Sequence, residues 1–170
     1  MSKIYNIPTF FKMNIPSLDD LFPKPVYDIY TDGSANLNIS AGYGIVILHN
    51  NKIIYELSGT VTHHFTAPHA ELTAIIEALK FMAQFTQATP IINVYSDSTF
   101  CTKTINEWGP NRKNWSTAAH ADKFIPLLAY INNYRKVSQI TFTHVKGHSG
   151  NPYNERADKL AKKGNFLLTQ

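Results

Sequence analysis

Two β-rich runs, Tyr43 to His49 and Lys52 to Ser58, are parted only by Asn50-Asn51. Asparagine tolerates positive φ, so the spacing predicts a tight hairpin whose turn fixes the register of both strands. An antiparallel pair must be extended and covered to be stable. The flanking sequence supplies the parts. Val26 to Thr31 reads as a strand, with Val26, Asp28 and Tyr30 on one face and Tyr27, Ile29 and Thr31 on the other. Leu72, Ile75, Ile76, Leu79 and Ala83 recur at helical spacing, with Thr66 or Pro68 marking the start. Ile91 to Ser96 is a short apolar strand, and Thr99 to Trp108 is expected to be a helix stopped by Gly109-Pro110. Phe124, Leu127, Leu128 and Ile131 mark a third amphipathic helix, with Pro126 expected near its first turn. Gln139 to His144 reads as the last strand. The final helix carries Asn151 as N-cap, Pro152 at its first position and Gly164 beyond its end, with Glu155–Lys159 and Asp158–Lys162 as i,i+4 pairs. Hairpin-linked strands followed by alternating helices and strands predict an α/β fold, a mixed sheet covered by helices.

A chain of 170 residues fits one domain with a real core. Pro8, Pro16, Pro23 and Pro25 break up its start, so residues 1–25 read as an N-terminal extension of unknown role. The domain is expected over 26–164 and a tail over 165–170. One cysteine, Cys101, excludes an internal disulfide framework and multi-cysteine metal sites. No apolar run reaches the roughly 20 residues of a membrane span, and the polar, proline-broken start does not read as a secretory signal. A cytoplasmic or other intracellular nucleic-acid compartment is the expectation. The net charge of +4 is unevenly spread. Residues 1–100 hold 5 Lys/Arg and 8 Asp/Glu, whereas residues 101–170 hold 11 and 4, which points to a polyanionic partner for the second half. A solvated basic helical surface would give the same asymmetry.

Four acids fall where elements change. Asp32 follows the first strand, Glu71 lies in the first turn of the first long helix, Asp97 ends the strand Val94 to Ser96, and Asp158 sits inside the last helix. If the strands leading to Asp32 and Asp97 are parallel neighbours, both carboxylates emerge at one sheet edge, where open α/β sheets bind ligands. Two carboxylates 4 Å apart repel by about 1 kcal/mol in water and about 4 kcal/mol at an effective dielectric of 20. Such a cluster is a liability without a cation, and hard oxygen ligands select Mg²⁺ or Mn²⁺ over zinc. Each acid taken alone also suits a turn, a helix start or a surface ion pair.

The set Tyr30-Thr31-Asp32-Gly33-Ser34, Gly42-Tyr43-Gly44, Ala70-Glu71-Leu72, Ser96-Asp97-Ser98 and the run from His144 to Asn151 leading to Asn154 through Ala161 resembles the ribonuclease H family, type 1 branch. The pieces stand in family order from about Val26 to Gly164, and Val145 to Asp158 is the most specific stretch. The resemblance implies a five-stranded mixed sheet flanked by helices. It also implies endonucleolytic hydrolysis of the RNA strand of RNA–DNA hybrids to 3′-hydroxyl and 5′-phosphate ends, with two Mg²⁺ ions clamping the attacking and leaving oxygens and Mn²⁺ as a substitute. Asp32, Glu71, Asp97 and Asp158 then look like the metal-binding catalytic four. His148 looks like a loop histidine assisting proton transfer or product release, with Gly147 and Gly150 making that loop flexible. Contacts to the hybrid are expected from Ser34, Asn38, Thr66, His69, Ser98, Thr99, Arg112, Lys113 and Trp115, the basic pair and indole suiting backbone charge and stacking.

The pattern departs from the family in places. Ala35 to Ala41 replaces the usual Gly-Asn-Pro-Gly loop. Ala67 and Pro68 cannot make the side-chain hydrogen bonds that other members make, while His69 is expected to stand in for a basic residue. Trp108 to Lys123 is shorter than a full basic protrusion. His63-His64 and His69 are read as loop histidines and not as a zinc site, because no cysteine is near. Ile4, Ile7, Phe10 and Phe11 show spacing similar to motifs that dock on sliding clamps, without the usual glutamine; packing on the domain is the preferred reading. The chain is expected to work as a monomer. A binding protein that lost activity, and a nuclease for junctions or duplex DNA, are the competing readings. The complete set of acids argues against the first and the Val145 to Asp158 stretch against the second.

Overall fold

The computed structural model describes residues 23–85, 90–114 and 120–166. Trp115 and the Ile4 to Phe11 spacing lie outside these residues. The elements are β1 (Val26–Asn36), β2 (Ser40–His49), β3 (Lys52–Val61), α1 (Ala67–Phe85), β4 (Ile91–Ser96), α2 (Thr99–Lys103), a π-helical turn (Thr104–Trp108), α3 (Gly109–Asn111), α4 (Ala121–Val137), β5 (Gln139–His144) and α5 (Pro152–Phe166). The strands form one sheet in the order β3-β2-β1-β4-β5. β1 to β3 pair antiparallel, and β4 and β5 run parallel to β1. This is the mixed five-stranded sheet expected from the sequence.

Alternation assigns the faces. Tyr27 and Ile29 of β1 and Ile45 and Ile47 of β2 enter the main core with Leu72, Ile75 and Leu79 of α1 and Phe124, Leu127 and Ile131 of α4. Val46 and Leu48 point the other way, onto Ala157 and Leu160 of α5. Helices therefore cover both faces. A bidentate pair, Arg156 Nε and Nη2 to Glu56 at 2.8 Å each, joins α5 to β3. Asn50 and Asn51 have φ of 52° and 59° and close the β2–β3 hairpin as expected.

Several boundaries differ from the sequence reading. β1 runs through Asn36, because pairing with β2 holds Asp32 opposite Gly44 and Ser34 opposite Gly42. Gly109-Pro110 does not stop the helix after β4, since the wide turn carries the chain on to Asn111. Pro126 lies in the second turn of α4, which starts at Ala121. There the ring removes the N–H that would donate to the Asp122 carbonyl. Gly164 is inside α5, which ends at Phe166. A Cβ there would overlap the Gly59 carbonyl, and one at Gly44 would overlap the Ala157 carbonyl. These glycines serve close helix–sheet contact, not helix termination. Asn151 caps α5 as expected, its Oδ1 accepting from the N–H groups of Tyr153 at 3.1 Å and Asn154 at 3.2 Å.

Candidate active site

Parallel pairing of β1 with β4 ends at Thr31–Ser96. The next residue on each of the two strands' paths is an acid, so Asp32 and Asp97 emerge side by side at one rim. Asp32 belongs to β1 itself, held by its pairing with β2. Glu71 comes from α1, at its fifth residue and so past the first turn. Gly33 lets the helix settle this close, because a Cβ there would overlap the Glu71 amide nitrogen. One carboxylate oxygen from each of Asp32, Glu71 and Asp97 lies within 4.8 Å of the others.

Electrostatics follow from the crowding. Burial, then the Asp97 charge, pushes the Asp32 carboxyl up to about 7, against the Gly33 N–H that donates to its Oδ1 at 2.8 Å. Glu71 is raised well above the usual carboxylate range, first by burial and then by Asp32 and Asp97. Its Oε2 is buried with no hydrogen-bond partner. Oxygens that repel one another, one of them unsatisfied, fit a divalent cation with hard ligands. Asp158 stands outside the tight trio but near enough for its charge to raise Asp32. It is held by an ion pair with Lys162 at 2.7 Å.

Around the acids, the sequence reading missed two polar supports. The Asn154 side chain is buried and donates from Nδ2 to Asp97 Oδ2 at 3.2 Å. The His144 ring, at the end of β5, contacts Thr99 Oγ1 at 3.1 Å and the Asp97 carbonyl at 3.2 Å. Their positions opposite β4 and in the first turn of α5 were the available signals. Gly147 lies against the acids, where a Cβ would sit 2.7 Å from Asp97 Oδ2. Its role is close approach. The left-handed bends fall instead at His148, φ 51°, and Gly150, φ 86°.

The expected contact residues divide. Ser34 accepts from Asn165 Nδ2 at 3.3 Å, and Asn38, φ 60°, turns the β1–β2 loop. Ser98 caps α2 by accepting from the Cys101 N–H at 3.3 Å. Thr66 Oγ1 is buried without a partner. Arg112 and Lys113 are exposed beside α3. His69 corrects two readings. It is neither a loop histidine nor a surface cation, but is fully buried in the first turn of α1. Burial and then Lys123, against Asp122, lower its pKa to about 4, so the ring is neutral at pH 7.

Carboxylates gathered at one rim of a mixed sheet, with an unsatisfied oxygen among them, make a site that could hold a metal ion. The family model for RNase H matches residues 24–166. The ribonuclease H of Saccharopolyspora erythraea is 37% identical over 147 residues, covering 81% of this chain and 88% of that protein. That of Hahella chejuensis is 36% identical over 143 residues, covering 81% and 91%. A solved structure of LC11-RNase H1 in complex with RNA/DNA hybrid superposes with a TM-score of 0.69 at 23% identity, over 85% of this chain and 99% of that one. This last likeness shows the fold. The chain belongs to the ribonuclease H family, a metal-dependent family of nucleases. Among the described residues, no helix is long and apolar enough to cross a membrane.

Proposed function

We propose that this protein hydrolyses the RNA strand of RNA–DNA hybrids endonucleolytically, leaving 3′-hydroxyl and 5′-phosphate ends. Mg²⁺ is its ordinary cation and Mn²⁺ a substitute. The observation that carries this reading is the convergence of Asp32, Glu71 and Asp97 within 4.8 Å, in a chain of this family.

Asp32, Glu71 and Asp97 would hold the ions, with Asp158 closing the site from α5. Bound there, divalent ions neutralise phosphate charge and make water a better nucleophile. The chain's own residues do the positioning. Gly33 lets α1 bring Glu71 to the rim, and Asn154 fixes the Asp97 carboxylate. His148, on an exposed bend beside Gly147, assists proton transfer or product release. Ser34 near the end of β1, and Asn38, Thr66, Ser98 and Thr99 on loops and element starts, are the groups from which 2′-hydroxyls and phosphates are contacted. Arg112, Lys113 and Trp115 supply backbone charge and stacking. The buried His69, neutral at pH 7, adds no charge to this surface.

The test is single-turnover cleavage of end-labelled hybrid in Mg²⁺, Mn²⁺ or chelator, beside single-stranded RNA, duplex RNA and duplex DNA. Metal-dependent cutting confined to the RNA of the hybrid is expected. Cutting of duplex DNA, or none in either metal, overturns the assignment.

A further inference from the structure

We propose that His63, His69 and Asp122 form a zinc-binding site separate from the carboxylate cluster. The three come from different segments. His63 precedes α1, His69 lies in its first turn, and Asp122 lies in the first turn of α4. One ligand atom from each lies within 4.8 Å of the others. His69 forms the floor of the site. Its side chain is 1% exposed, and neither Nδ1 nor Nε2 has a hydrogen-bond partner. Buried polar groups are ordinarily paired, so an orphaned imidazole facing a carboxylate needs an explanation.

The spacing supplies one. His69 Nε2 is 3.7 Å from Asp122 Oδ2, too long for a hydrogen bond. Two ligands of a tetrahedral zinc ion, with bonds of about 2.0–2.1 Å, stand about 3.3 Å apart. Small movements of the exposed His63 and the half-exposed Asp122 would close the set around the fixed His69. His63 Nδ1 already contacts Thr62 Oγ1 at 3.0 Å, the kind of outer contact that orients a ligating ring. The rings of His64 and His120 lie 5.2 Å and 5.9 Å from that of His69, so either, or a water, can fill a fourth position.

Ligand chemistry separates this site from the acids. Two imidazoles and one carboxylate suit zinc, whereas the all-oxygen cluster suits Mg²⁺. The ion would tie the loop after β3 to the starts of α1 and α4, next to the edge where Glu71 is placed. The sequence reading set zinc aside at His63-His64 and His69; the third ligand, Asp122, lies far along the chain and meets them only in the fold.

The experiment titrates the full chain with Co²⁺ as a visible probe of tetrahedral coordination, in excess Mg²⁺ to occupy the carboxylates. Zn²⁺ competition and thermal melting with Zn²⁺ accompany it. His63→Ala and Asp122→Asn remove exposed ligands and keep the buried core intact; Asp32→Asn tests the acids. One equivalent of Co²⁺ with a tetrahedral absorption band, displaced by Zn²⁺, is expected, and Zn²⁺ raises the melting temperature. Each of His63→Ala and Asp122→Asn should weaken binding by roughly tenfold or more, and Asp32→Asn should leave it unchanged. Absence of the band overturns the proposal. So does binding weakened by Asp32→Asn, or a loss confined to one of the two ligand variants.

Discussion

Asp32 and Asp97 stand one step beyond the last parallel pair of the sheet, Thr31 with Ser96, so two neighbouring strands deliver their acids to the same rim. Hydrogen bonding of the sheet, and not any attraction between the acids, sets this arrangement. α1 then adds Glu71 over Gly33. The fold holds together charges that repel.

Asp97→Asn should abolish metal-dependent cleavage while leaving the metal-free fold as stable or more so, because one repulsive charge is lost. Its amide can still accept from Asn154. Thermal melting in chelator checks this, and a large loss of stability would make Asp97 structural.

Stability without metal should depend on pH through Asp32. Its carboxyl titrates near 7 in the fold, against 3.8 as its ordinary value. The folded state therefore binds more protons between these values, and folding stability from this group falls as pH rises from about 4 to about 7. Glu71 acts in the same direction. Mg²⁺ should raise the melting temperature at pH 8 and do so much less at pH 5. Asp32→Asn should flatten the metal-free dependence. An equal effect of Mg²⁺ at both values would contradict this.

Gly33→Ala should cost about 1–3 kcal/mol, as overpacking against backbone does. It should also displace Glu71 and so lower the cleavage rate. Denaturant unfolding gives the first number and single-turnover kinetics the second. A neutral substitution would show that α1 does not need this approach to place its acid.

Arg112→Ala with Lys113→Ala should weaken hybrid binding and flatten its salt dependence by about one unit of slope per lost phosphate contact. The single-turnover rate at saturation should stay as it was. Binding isotherms across a salt series read the first effect, and a changed saturating rate would contradict the assignment.

The fold was legible where local signals agreed with tertiary ones. β4 and β5 have the expected limits because apolar runs end at polar residues, and Asn50-Asn51 and Asn151 did what their side chains favour. The outer half of β1 was not legible. Asp32 to Asn36 has no strand pattern of its own and is extended only because β2 pairs with it. Gly164 was misread because a glycine needed for contact with Gly59 looks, in sequence, like a helix stop. The acids were visible through the family pattern. Asn154, His144 and the meeting of His69 with Asp122 depend on contacts across the fold, which spacing does not encode.

Anomalous diffraction from crystals of the wild-type chain soaked in Mn²⁺ would address the carboxylate centre most directly. A manganese peak in direct contact with carboxylate oxygens from Asp32, Glu71 and Asp97 is expected, as for a hard cation held by oxygen ligands. Manganese at other positions only, with these three acids left without it, would contradict the account.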